Sequence, residues 1–273
     1  SIMQSGWALG YMLASISAAI ILGAPSLGND ARRWLFVLGV APAFLTLWVR
    51  RYVKEPESWT VTKQSATGNP YAVIFGPLLG RSLLIIALGS AIQFANWGLF
   101  FWLPTFLARP VEQGGAGMGI VGSLPWIIPV QLGAYFGYLT FGFIADRIAR
   151  RQAFVFYTVA AAVLVPIYGQ MARSPMILLL LGPPLGYFGY GYFSMFGGFV
   201  AELFPAAVRA TGQGTTYNIG RMAGAVAPFT IGVIATQPGI GIGLALSITS
   251  AFFLLAAALV FTLPDPTGQA LDE

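Results

Sequence analysis

Apolar residues fill eight long stretches of this chain, at roughly 2–24, 33–53, 79–108, 118–145, 152–171, 175–202, 208–234 and 239–263. Each has about 20 residues or more, the length an α-helix needs to cross a bilayer. No stretch shows the ~10-residue alternation of apolar and polar positions that marks a membrane β-barrel. The pattern predicts an all-α polytopic membrane protein with about eight transmembrane helices. One connection is long and polar: residues 54–78, which carry Lys54, Glu55, Glu57, Lys63, Gly68 and Pro70. Trp48 and Trp59 flank its start, as suits rings at a membrane interface. Two spans precede it and six follow, so the chain divides into 1–53, the linker 54–78, and 79–273.

A short internal similarity fits this division. Trp7-Ala8-Leu9-Gly10-Tyr11-Met12-Leu13-Ala14 is similar to Tyr217-Asn218-Ile219-Gly220-Arg221-Met222-Ala223-Gly224, 210 positions on. Each copy is followed by one further span. On this reading 1–53 holds the last two helices of a first bundle, and 79–273 is a complete second bundle with a short tail. About four helices are then expected upstream of the first residue. The pairs Gly133/Gly137, Gly182/Gly186 and Gly220/Gly224 predict close helix contacts. Pro129, Pro166, Pro183 and Pro228 predict kinks.

Composition supports the membrane reading. The 273 residues are 57% hydrophobic and 8% charged, against about 25% charged in a soluble domain. The net charge of +5 comes from basic residues scattered among short loops. Sorting of positive charge to the cytoplasmic side explains that scatter better than a nucleic-acid surface does, so no nucleic acid is expected. With no cysteine and no histidine, disulfides, thiolate chemistry and histidine metal or proton sites are excluded. No metal or cofactor is expected, and any proton carrier must be one of nine Asp and Glu residues. The start, Ser-Ile-Met-Gln, has neither a basic segment nor a cleavage site, so it does not read as a signal peptide.

Two stretches between spans carry most of the remaining information. Gly142-Phe143-Ile144-Ala145-Asp146-Arg147-Ile148-Ala149-Arg150-Arg151 reads as a very short loop. Its glycine would let two helices approach closely, and Asp146 would accept backbone N–H bonds at the start of the next helix. Arg147, Arg150 and Arg151 mark the cytoplasmic side. Alternation then places Arg50, Arg51, Lys54, Lys63, Arg209, the chain start and the C-terminus inside. Arg109 and Arg173 fall outside, with Arg32 and Arg33 as a local exception. The second stretch, Glu202-Leu203-Phe204-Pro205-Ala206-Ala207-Val208-Arg209, bridges two spans on the same side.

The first stretch resembles the G-x-x-x-D-R-x-G-R-R loop of the major facilitator superfamily, with Ala149 in place of the second glycine. The second, with Gly212, resembles the E-x-F-P-x-x-x-R-x-x-G signature of sugar and organic-acid porters. Glu55-Pro56-Glu57-Ser58-Trp59 is similar to the P-E-S-x-x-W segment of sugar, sialic acid and carboxylate porters. Trp34-Leu35-Phe36 and Trp48-Val49-Arg50-Arg51 are most similar to the sialate and carboxylate branch. The resemblance implies a secondary transporter of the bacterial inner membrane that works by alternating access, carries an organic acid or acidic sugar with protons, and does no covalent chemistry. It further implies that Glu202, Arg209 and the Arg147 loop form a charge network closing the inner gate. A surface ion pair worth ~0–1 kcal/mol is the competing reading.

Two polar faces inside the spans are candidate substrate contacts. Thr211, Thr215, Asn218 and Arg221 recur at helical spacing. Arg221 lies near mid-span, where a bare cation costs at least ~2.5–3.5 kcal/mol and so calls for a partner or a wet cavity. A small anionic metabolite would serve; an acid on another helix is the alternative. Gln93, Asn96, Trp97 and Phe100 share one face of the third span, with Phe94 and Phe101 beside them. Tyr187, Tyr190 and Ser194 form a similar stripe in the sixth. Gln93, Asn96, Trp97, Tyr190, Asn218 and Arg221 are the expected binding set. Neutral-sugar or aromatic-acid porters and drug exporters stay open as alternatives. A membrane enzyme or a non-transporting receptor relative is the alternative from another class.

Overall fold

A computed structural model of the protein describes residues 2–52 and 68–264. Lys54, Glu55, Glu57, Trp59 and Lys63 therefore lie outside the described residues. Among those described there is no strand, and eight helices are long and apolar enough to cross a membrane. They are α1 (Ile2–Leu22), α2 (Ala31–Tyr52), α3 (Leu79–Ala108), α4 (Ile120–Ile148), α5 (Arg150–Gln170), α6 (Pro175–Glu202), α7 (Ala206–Ala235) and α8 (Gly241–Thr262). A short helix, Pro70–Ile74, leads into α3; the Asn69 side chain caps it by accepting from Tyr71 N at 3.0 Å.

Helices α3 to α8 pack together, with α4 against α6, α3 against α7, and α5 against α8 as the broadest contacts. Glycine makes each of them possible. A Cβ on Gly133, Gly137 or Gly186 would collide with backbone of the facing helix, at Pro183, Tyr187 and Val130 respectively. One on Gly220 would stand 3.0 Å from Gly89, and Gly169 meets Gly243 backbone to backbone. Between helices in lipid there is little hydrophobic drive, so this closeness supplies the attraction through dispersion. Helix α1 lies along α4 through buried Ser5, Ala8, Met12 and Ser15, a small-residue stripe at helical spacing. Helix α2 has its main contact with α1 and buries nothing within its most apolar window.

At one end, residues 110–119 fold back over α3. Ala116, Met118 and Gly119 donate backbone N–H bonds to the carbonyls of Phe106, Leu107 and Ala108 at 2.9, 3.1 and 3.2 Å. Carbonyls that a helix end leaves unpaired are thus satisfied by protein.

The turn between α4 and α5 is tighter than the sequence suggested. Helix α4 runs through Gly142 to Ile148, and α5 starts at Arg150. Ala149 alone turns the chain, at φ 70° and ψ 146°. Gly142 is therefore helical and exposed, with open space where its Cβ would be, so it does not bring two helices together.

Candidate functional site

A cavity of about 140 Å³ opens among α1, α3, α4, α6 and α7. Helix α3 contributes Gln93, Asn96 and Trp97, at spacings of three and four that stack residues on one face. Helix α7 contributes Tyr217 and Arg221, one turn apart, and α6 contributes Tyr190 and Phe193 on either side of a helix break at Tyr192. Tyr138 of α4 and the pair Gln4 and Trp7 of α1 complete the wall.

Packing behind the cavity fixes several of these groups. Tyr190 stacks on Phe100 with ring centroids 3.9 Å apart, and Trp97 meets Trp7 edge to face at 6.5 Å. Asn96 donates its amide to the carbonyl of Gly189 at 3.3 Å. Gln93 is only 2% exposed, yet its amide nitrogen has no hydrogen-bond partner among the described residues. An unpaired buried amide is costly, so this group is set to receive an acceptor. Arg221 sits midway along Arg209–Ala235 and is exposed within the structure. Among the described residues it has no hydrogen bond and no carboxylate partner, and the other charges stand at or near span ends.

Five of the six expected binding residues thus share one cavity: Gln93, Asn96, Trp97, Tyr190 and Arg221. Asn218 does not. It is exposed and donates its amide to the Gly214 carbonyl of its own helix at 2.7 Å. The α7 face that lines the cavity runs through Tyr217 and Arg221, and Asn218 is about 100° around the helix from Tyr217. Thr211 and Thr215 are off the wall for the same reason. On α6 the expected stripe reduces to Tyr190, because Tyr187 is hydrogen-bonded to Thr140 at 2.7 Å and Ser194 does not line the cavity. Tyr217 was findable, being four residues before Arg221. Gln4 carries the same signal as Gln93, a carboxamide within an apolar span, and Trp7 aligns with Tyr217 in the internal similarity; Tyr138 and Phe193 carry no local signal, since only tertiary packing aims them inward.

The loop residues meet at one end of α6. Arg150 holds both carboxylate oxygens of Glu202, with Nη1 2.7 Å from Oε1 and 2.5 Å from Oε2. Arg150 belongs to the loop that the resemblance joins to Glu202 and Arg209; Arg209 itself donates Nε to the Phe204 carbonyl at 3.3 Å. Arg81 donates to the Leu203 carbonyl at 2.8 Å. Three arginines from three helices therefore clasp Glu202 and the two residues that follow it at the C-terminal end of α6, where the helix dipole favours positive charge. Arg151 donates to the Leu263 carbonyl at the end of α8. Asp146 lies in the last turns of α4 rather than at the start of α5. It is exposed, as is Arg147, and neither has a hydrogen bond or ion pair among the described residues.

No protein-family model matches the chain. Individual relatives do. Over 100% of its length the chain is 31% identical to a putative metabolite transport protein of Haemophilus influenzae, of which it covers 66%. It is 28% identical, over 88% of the chain and 58% of the relative, to a cis,cis-muconate transport protein of Acinetobacter baylyi. It is 27% identical, over 93% of the chain and 62% of the relative, to a sialic acid transporter of Escherichia coli K12. With eight apolar spans and the two loop signatures, this relationship decides the family. The chain belongs to the major facilitator superfamily. As a member it is an integral membrane protein of a transport family rather than an enzyme. It spans between 58% and 66% of the length of these relatives.

Proposed function

We propose that the protein moves a small organic acid or acidic sugar across the bacterial inner membrane by alternating access, coupled to protons. The observation that carries this reading is Arg221, a mid-span cation with no carboxylate partner among the described residues, facing the cavity of Gln93, Asn96 and Tyr190. A guanidinium at that depth costs at least ~2.5–3.5 kcal/mol. A substrate carboxylate would offset it through a bidentate, charge-assisted pair. Gln93 would donate to a second oxygen of the same ligand, and Trp97 and Tyr190 would cover its apolar body. Two of the relatives, named as transporters of muconate and of sialic acid, agree with an acidic cargo.

In the same reading α1 and α2 belong to a first bundle and α3 to α8 form the second, with the substrate between them. The α4–α5 turn and the Glu202–Arg150 pair stand on the cytoplasmic side, together with the chain start and C-terminus. They hold the inner ends of α5 and α6 together in one state of the cycle. Among the described residues no carboxylate lies deep in a span, so proton coupling is assigned to a group outside them. The test is uptake of radiolabelled muconate and sialic acid by membrane vesicles carrying the natural protein, with and without a pH gradient. Uptake of an acid that an inward proton gradient accelerates is expected. Uptake no greater than in vesicles lacking the protein would overturn the reading.

A further inference from the structure

Three helix ends meet at one corner of the molecule, away from the central cavity: the last residue of α1, the first turns of α2 and the first residues of α4. Between them lies a groove of about 540 Å³, lined by Leu22, Leu35, Phe36, Ile120 and Val121 and by one charged side chain, Arg32. Arg32 is the second residue of α2, and Leu35 and Phe36 follow it by three and four positions, so the three share a helix face. The cation stands at the helix end, and the apolar residues lie about one turn, ~5 Å, deeper. Trp34, exposed at the same level, suits the boundary between headgroups and chains.

Arg32 and Arg33 run against the sorting of positive charge in this chain. Arg33 is accounted for, because its Nη1 lies 3.0 Å from Asp30 Oδ1. Arg32 has no hydrogen bond and no ion pair among the described residues. Below it the apolar floor is uncovered, with Phe36 81% and Ile120 69% exposed within the structure. We propose that this groove binds one anionic phospholipid, with the phosphate on Arg32 and an acyl chain along Leu35, Phe36, Ile120 and Val121. Charge complementarity selects this occupant. A protein helix laid in the groove would cover the floor but would also have to bring a carboxylate to Arg32. A bilayer supplies the anion and the apolar chain together, at the same vertical spacing, and the planar guanidinium matches phosphate oxygens two at a time. The groove touches α1 and α2 on one side and α4 on the other, so the lipid bridges the two parts of the chain read above as separate bundles. The proposal goes beyond the reading of Arg221 and does not depend on it.

The experiment is native mass spectrometry of the natural protein, purified in neutral detergent and titrated with dioleoyl phosphatidylglycerol or dioleoyl phosphatidylcholine, which share their chains and differ in net charge. One phosphatidylglycerol should bind about fivefold more tightly than phosphatidylcholine, the scale of one basic side chain near an anionic headgroup. Arg32→Gln should abolish that preference, whereas Arg173→Gln, which removes the same charge outside the groove, should keep it. Val121→Trp fills the floor and should weaken binding of both lipids. Arg32 and Val121 are exposed within the structure, so these substitutions spare the packing. Equal binding of the two lipids by the wild-type protein, or an unchanged preference in Arg32→Gln, would overturn the proposal. Loss of the preference in Arg173→Gln would do the same, by reducing it to net surface charge. Binding of neither lipid would show that another part of the protein fills the groove, and displacement of the lipid by equimolar glycerol 3-phosphate would make Arg32 a site for free anions; each of these also contradicts the lipid groove.

Discussion

Ala149 makes the whole turn between α4 and α5 with one residue. Its φ of 70° is the one positive value at a non-glycine position among the described residues. A side chain in that region costs of order 1–3 kcal/mol. The family motif has glycine here, and the geometry supplies the reason. Ala149→Gly should stabilise the protein by about 1 kcal/mol, measured as a higher melting temperature in detergent; an unchanged or lower value would contradict the strained turn. Gly224 presents the opposite case. Its missing side chain leaves room for Trp97, so Gly224→Ala should push the ring into the cavity. Overpacking of this kind costs about 1–3 kcal/mol, and acid affinity should fall about five- to tenfold with the fold intact; unchanged affinity would show that the Trp97 ring has another way to move. At this scale Arg221, Gln93 and Asn96 were legible because polar groups inside a 20-residue apolar run are costly wherever they point. Asn218 falls outside this cavity for a physical reason. A polar side chain on a helix can spend its donor on its own i−4 carbonyl, and spacing along the sequence does not reveal that.

Helices show a similar split between what pattern tells and what it leaves open. The eight spans were legible to within a few residues because bilayer thickness sets their length. The glycine pairs marked α4, α6 and α7 as helices of close approach through the one property that matters there, the absence of a Cβ, and the fold supplied the partners, α4 with α6 and α7 with α3. Partner choice among charges was less legible. The resemblance joins Glu202 to both Arg209 and the Arg147 loop without ranking them; Arg209 starts the next helix and reaches only the Phe204 carbonyl. Arg150, on a helix some fifty residues earlier, arrives with its guanidinium on both oxygens. Glu202→Gln removes the charge from that clasp while keeping its shape. If the pair favours the state in which α5 and α6 are closed at this end, the variant should shift the population toward opening. A reporter cysteine at Tyr217, on the cavity wall, in a chain with no other thiol, should then react faster, about tenfold for a pair worth ~1.4 kcal/mol. An unchanged labelling rate would reduce the pair to a surface contact.

The whole molecule is a bundle of six helices with α1 laid along α4, and its cavity lies where α1 meets the bundle. The sequence could anticipate the bundle from span count. It marked Gln4 as a carboxamide in an apolar span and aligned Trp7 with Tyr217, but only the packing of α1 on the bundle brings both to the wall. Orientation is testable from charge. Single cysteines at Ile148 and Arg173 should differ, the first shielded from an external impermeant thiol reagent and the second labelled; labelling of Ile148→Cys alone would reverse the topology. The central claim is that Arg221, the one mid-span cation among the described residues, is the seat of an acid. It is tested most directly by titrating one carboxylate into wild-type protein, Arg221→Lys and Arg221→Gln. Lysine keeps the charge and loses the planar fork, so affinity should fall moderately. Glutamine loses both, and removing one member of a buried charged pair costs on the order of 2–5 kcal/mol, more than tenfold in Kd. Equal affinity of the correctly folded Gln variant and the wild type would show that Arg221 serves the scaffold and not the substrate.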